Sequence, residues 1–155
     1  MEDIHDLVPL SGGQEQMMGA LRGCNVISAR YGLTLSRADM QMLADKQAEA
    51  LRSTGRVEFG RGPYEKLIYA FCDSPYLSGA DYAETLAELC AIFYRFKNES
   101  GERWSDDELI ESMQRLYNGQ CQGALDLMKD RLWQMLHSHP DDGETEIEGD
   151  ALEEE

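Results

Sequence analysis

Apolar residues recur along this chain at three- and four-residue steps, the spacing of one face of an α-helix. Met17, Leu21, Cys24, Ile27 and Tyr31 form the first stripe, predicting a helix over 15–31 that Gly32 ends. Gly19 and Gly23 weaken it by ~1 kcal/mol each relative to Ala and leave room for another backbone. A second helix starts at Ser36, whose pairing with Asp39 has the form of a capping box. Its face is Met40, Leu43, Ala44, Leu51 and Thr54, with Gln47 and Ala50 between them and Gly55 as its stop. From 56 to 60 the period changes: Val57 and Phe59 alternate with Arg56 and Glu58, which supports at most one short strand or hairpin.

Helical spacing then returns. Pro63 suits the first position of a third helix, where a missing N–H costs nothing; Leu67, Ile68, Phe71 and Cys72 are its face. Asp73-Ser74-Pro75 ends it, because a residue before proline avoids the helical region. The fourth stripe is the strongest: Tyr82, Leu86, Leu89, Phe93 and Phe96, opened by Ser78 and Asp81 as a second capping box and followed by Gly101. A fifth helix opens at Ser105, with Asp106, Asp107 and Glu108 at its positive end, and carries Leu109, Ile110, Met113, Leu116 and Tyr117 up to Gly119. A sixth, starting near Cys121, carries Leu125, Met128, Leu132, Met135 and Leu136, with Trp133 beside the stripe, and ends near His139-Pro140.

The expected fold is therefore all-α, with about six helices in an orthogonal or bundle-like array. The short connections favour antiparallel neighbours. One helical domain over 14–139 is expected, after a loose segment 1–13. The last residues differ in kind. From Asp141 onward they hold nine acids and no Lys or Arg, so 140–155 is expected to be a disordered acidic tail.

Charge narrows the function. Acids number 30 against 14 Lys and Arg, a net charge of −16 over 155 residues. Phosphate contacts need clustered bases, so nucleic acid is not an expected partner. An anionic membrane surface is disfavoured too. No stretch approaches the ~18–20 apolar residues that span a bilayer. The opening MEDIHDLVPLSGG lacks the basic and apolar regions of a secretory signal. Cys24, Cys72, Cys90 and Cys121 form no CxxC pair and are expected as small core residues in a reducing cytoplasm.

Catalytic patterns are missing. The three histidines are His5, His137 and His139, with no HExxH pair, so neither a metal nor a cofactor is expected. His137 and His139 suit the carbonyl end of a helix. Asp81, Glu84 and Glu88 share a helix face and are expected to be a solvated surface. Cys121, at a helix start, is the better placed thiol, ahead of Cys72, but neither has a histidine beside it. There is no GxSxG elbow and no Walker loop, so no catalytic residue is assigned.

The one local candidate is Gly60-Arg61-Gly62-Pro63. Two glycines, an arginine and a helix start can form an anion nest. With its neighbours it gives a candidate ligand site of Arg56, Glu58, Arg61, Glu65 and Tyr69, with Lys66 nearby. The competing reading is a turn whose bases are satisfied by Glu58 and Glu65. Tyr64, Tyr69, Tyr76, Tyr82, Tyr94 and Trp104 gather in the middle of the chain, and there are eight methionines. Both favour core edges or interfaces.

Arg56-Val57-Glu58-Phe59-Gly60 and the run Leu67-Ile68-Tyr69-Ala70-Phe71-Cys72-Asp73-Ser74-Pro75-Tyr76, with Phe96-Lys97-Asn98-Glu99 and Ser105-Asp106-Asp107-Glu108-Leu109, carry a resemblance. Over about residues 31–128 the chain resembles a family of short bacterial proteins of unknown function. The resemblance implies a bacterial, cytoplasmic origin and no activity or catalytic set. The expected role is a non-enzymatic protein-interaction or adaptor module whose partner is another protein, a homodimer being one form. The alternative is a small-molecule or anion-binding protein, with or without enzymatic activity, built on the Gly60–Pro63 loop.

Overall fold

The computed structural model describes residues 12–58 and 62–137, with side-chain surroundings from residue 15 onward. All regular structure among these residues is helical. Helix α1 is Gly12–Ser28, α2 Arg37–Thr54, α3 Tyr64–Phe71, α4 Tyr82–Glu99, α5 Asp106–Asn118 and α6 Leu125–His137. Short 3-10 turns at Ala29–Tyr31 and Gly79–Asp81 tighten the end of α1 and the approach to α4. No strand forms among the described residues: Arg56, Val57 and Glu58 are a connection without a ladder, and Phe59 and Gly60 of the expected strand lie outside the described residues.

The helix ends follow local chemistry. The Ser36 hydroxyl accepts from the Asp39 N–H, and the Asp39 carboxylate accepts from the Ser36 N–H, closing a capping box at α2. Ser105 and Glu108 do the same at α5. Gly32 and Gly55 take left-handed conformations and stop the helices before them. Three local expectations are corrected. Pro63 precedes α3 as its N-cap. Ser78 caps a 3-10 turn by accepting from the Ala80 N–H, so Asp81 ends that turn and α4 begins one residue later. Cys121 lies in the tight turns before α6, buried, and not at its start.

The predicted stripes are the core. Leu21 and Cys24 of α1, Leu43 of α2, Leu67, Ile68 and Phe71 of α3, and Met128 and Leu132 of α6 are all buried. Tyr31 is the exception at 53% exposed, because the 3-10 turn rotates it off the stripe of α1. Met135 also faces outward, and Trp133 stays half-exposed with its ring 3.7 Å from that of His137, centre to centre. Tyr64, Tyr82 and Tyr94 are buried core residues, not surface aromatics.

Helix α4 is the hub, touched by α2, α3, α5 and α6. It therefore buries far more than its stripe, including Ala83, Ala87, Cys90, Ile92, Tyr94 and Lys97. Truncating a hub residue such as the fully buried Phe96 to Ala is a change of about 3–5 kcal/mol. Helix α1 packs across α2 and α3.

The most extensive helix pairing is between α2 and α4. These two run in the same direction. Ahead of both, a Cβ on Gly79 would lie 3.1 Å from the Gly32 carbonyl oxygen. Beyond both, Arg56 pairs with Glu102. Sequence-adjacent helices on short loops were expected to be antiparallel neighbours; here α3 carries the chain back between two parallel ones. A second tight point closes the far side, where Gly123, at φ +84°, sits so close to Tyr76 that a Cβ would come within 2.8 Å of the tyrosine Cβ.

Candidate functional site

The candidate ligand residues around the Gly60–Pro63 loop divide between two places. Arg56 and Glu58 reach the C-terminal half of α4. Arg56 forms its ion pair with Glu102, which raises its pKa above the ordinary arginine value. The Glu58 carboxylate accepts from the Tyr94 hydroxyl at 2.7 Å, and that hydroxyl accepts from Gln47 of α2 at 3.1 Å. Burial, opposed by the Gln47 amide and reinforced by the Glu58 carboxylate, holds the Tyr94 phenol well above its ordinary pKa, so it stays a proton donor. Gly62 closes over this chain of bonds at φ +81°, where a Cβ would overlap the Gln47 amide at 2.1 Å.

Glu65 and Tyr69 lie elsewhere, one turn apart on α3. Tyr69 is half-exposed, and its phenol pKa is raised first by Cys24 of α1 and then by burial. Arg61 lies outside the described residues. Lys66 pairs with Asp107 of α5 at 2.8 Å. The carboxylates that bond Arg56 and Lys66 are thus Glu102 and Asp107, 46 and 41 residues away, with Glu58 adding a longer-range attraction on Arg56. Both bases are engaged by carboxylates, while Gly60 and Arg61, on which the expected anion nest rests, lie outside the described residues.

All four cysteines are buried, and none is in a disulfide. Burial raises Cys72 and Cys121 above the ordinary thiol value and pushes Cys90 up to about 12. For Cys121 this reverses the expected activation, since the residue precedes the helix and lacks its N-terminal field. Among the described residues no group of three His, Cys, Asp or Glu side chains is placed to hold a metal ion. No described helix is long and apolar enough to cross a membrane.

An open groove of about 520 Å3 runs along the seam of α2 and α4. Its floor is small and apolar: Ala50 and Ala87 are buried, Met42 is half-buried, and Ala91 opens one side. Alanines at facing positions leave the seam recessed, where larger residues would fill it. The rim is acidic. Glu84 and Glu88 stand on α4, Lys46 and Glu49 on α2, and all four are exposed. Lys46 is paired with Glu49 at 3.5 Å, while Glu84 and Glu88 have no ion-pair partner among the described residues. The solvated acidic face expected on the fourth helix is thus real, and it borders a groove. Ala50 was read on the face of its helix, but Ala87 and Ala91 were not singled out in the sequence, because nothing local distinguishes a groove floor from an ordinary helix position.

A family model for a family of unknown function, DUF6323, matches residues 20–143. The chain belongs to that family. No curated protein and no solved structure matches it. The match spans all of α2 to α6 and so contains both sides of the groove.

Proposed function

We propose that this DUF6323 protein is a non-enzymatic protein-interaction module of the bacterial cytoplasm, and that the α2–α4 groove is where its partner docks. The observation that carries the reading is the groove itself: a recessed apolar floor with unpaired carboxylates on its edge. Grooves between helices are ordinary sites for helical segments of other proteins. The chemistry of the buried thiols is in keeping with this, since burial raises Cys72, Cys90 and Cys121 above the ordinary thiol value.

The test is affinity purification from the native host with three versions of the full chain. These are the wild type, Ala91→Trp, which fills the groove from an exposed position, and Gln114→Ala on α5 as a control. Docking predicts a stoichiometric partner with the wild type and the control that is lost with Ala91→Trp. Retention of the same partner by Ala91→Trp contradicts it.

A further inference from the structure

Resting on the docking reading above, we infer that the occupant of the α2–α4 groove is an amphipathic α-helix of a partner protein with Lys or Arg flanking its apolar stripe. Shape is the first argument. The groove follows the axes of two parallel helices, and its α2 side extends from Met42 to Ser53, ~16 Å or three helical turns. A ridge of side chains on a third helix fits such a seam, and an alanine floor lets its backbone come close.

Charge is the second. Glu84 and Glu88 are like charges one turn apart, an arrangement that costs an isolated helix stability. Nothing in the described part of the chain offsets it, because Lys46 is already occupied by Glu49. A base brought by a partner would. Residues 1–11 and 138–155 do not supply that base. Residues 1–11 hold three acids, residues 138–155 hold nine, and neither segment has a Lys or Arg. A second copy carries the same net charge of −16. Charge complementarity therefore selects a basic partner over segments 1–11 and 138–155 and over a homodimer at this groove.

The probes are two acetylated, amidated 18-residue helical peptides with the same Ala/Leu stripe, one flanked by Lys and the other by Glu. Each is titrated into the 15N-labelled full chain and followed by amide shifts. The inference predicts that the Lys peptide moves the amides of Ala50, Ala87 and Ala91, and that the Glu peptide does not. The double reversal Glu84→Lys/Glu88→Lys should weaken the Lys peptide at least tenfold. Glu111→Lys/Asp126→Lys, with the same change in net charge on α5 and α6, should weaken it less than twofold. Melting of both variants near the wild type keeps the comparison valid. Equal weakening by the two reversals means bulk attraction and overturns the inference. So does movement of the groove amides by the Glu peptide, or by neither peptide. The docking reading fails separately, on retention of the cellular partner by Ala91→Trp.

Discussion

Lys97 is a lysine buried in the hub helix, and its replacement by Met is a sharp probe of how α4 is held to α5. Its side chain is only 9% exposed. The ammonium donates to the Trp104 carbonyl at 2.9 Å and pairs with Asp106 at 3.0 Å and Glu102 at 3.4 Å. All three acceptors lie in or next to the connection between α4 and α5, so one cation fixes that turn. Methionine keeps the packing of the stem and removes only the charge. Losing a charge-assisted hydrogen bond to a carbonyl costs about 1.5–3 kcal/mol. The two carboxylates are about half-exposed and can rehydrate, so each ion pair contributes at most about 1 kcal/mol. The expected loss is about 2–3 kcal/mol, or roughly 5–10 °C in Tm for a domain of this size. Urea unfolding should show a lower midpoint with an unchanged m-value. A double-mutant cycle with Asp106→Asn should give a coupling of at least about 0.5 kcal/mol. A loss below about 0.5 kcal/mol with zero coupling would refute the clamp.

Further outcomes follow from the same geometry. The Tyr82 hydroxyl is buried without a well-formed hydrogen bond among the described residues, although it lies within reach of Ser28, whose own hydroxyl donates to the Leu33 carbonyl. Tyr82→Phe should therefore be neutral or stabilising by about 1 kcal/mol in urea unfolding, and a loss of more than that would mean the hydroxyl is satisfied. Gly123→Ala should cost about 2–4 kcal/mol, from left-handed strain plus the collision with Tyr76; a neutral result would show the turn free to shift. Arg56, with Lys97 behind it, lowers the Glu102 carboxyl below the ordinary glutamate pKa. Its contribution to stability is thus complete above the unfolded value, ~4.3, and lost as pH falls through the lower folded value. Glu102→Gln should flatten the acid limb of the stability curve, and an unchanged limb would discount the pair. The thiols should react with a disulfide reagent at pH 7 only after denaturant is added; fast native labelling of Cys121 would contradict its burial.

The helices were legible because their signals are local. Ser36 with Asp39, Ser105 with Glu108, and the glycines at 32 and 55 act within four residues of the ends they set. Ser78 with Asp81 shows the limit of that logic. The same spacing there gave a 3-10 turn, because the serine bonded two residues ahead and not three. What decides the candidate site is not local. Arg56 meets Glu102 and Gln47 meets Tyr94 only because α2 and α4 pack directly on each other in parallel, with α3 carrying the chain back from the end of one to the start of the other. Short loops suggested antiparallel neighbours, so the seam was out of view. Its alanines resemble any helical alanine until two of them face each other. Glu84 and Glu88 were legible as a surface, while the groove they border needed the neighbouring helix to exist.

The most direct measurement is photo-crosslinking in the host from a photoreactive residue placed at exposed Ala91, with Gln114 as the control position. Docking at the groove predicts one discrete adduct from position 91 and none from 114, with the attached peptide drawn from a Lys- or Arg-rich amphipathic helix. Adducts of equal yield from both positions, or none from position 91, would contradict it.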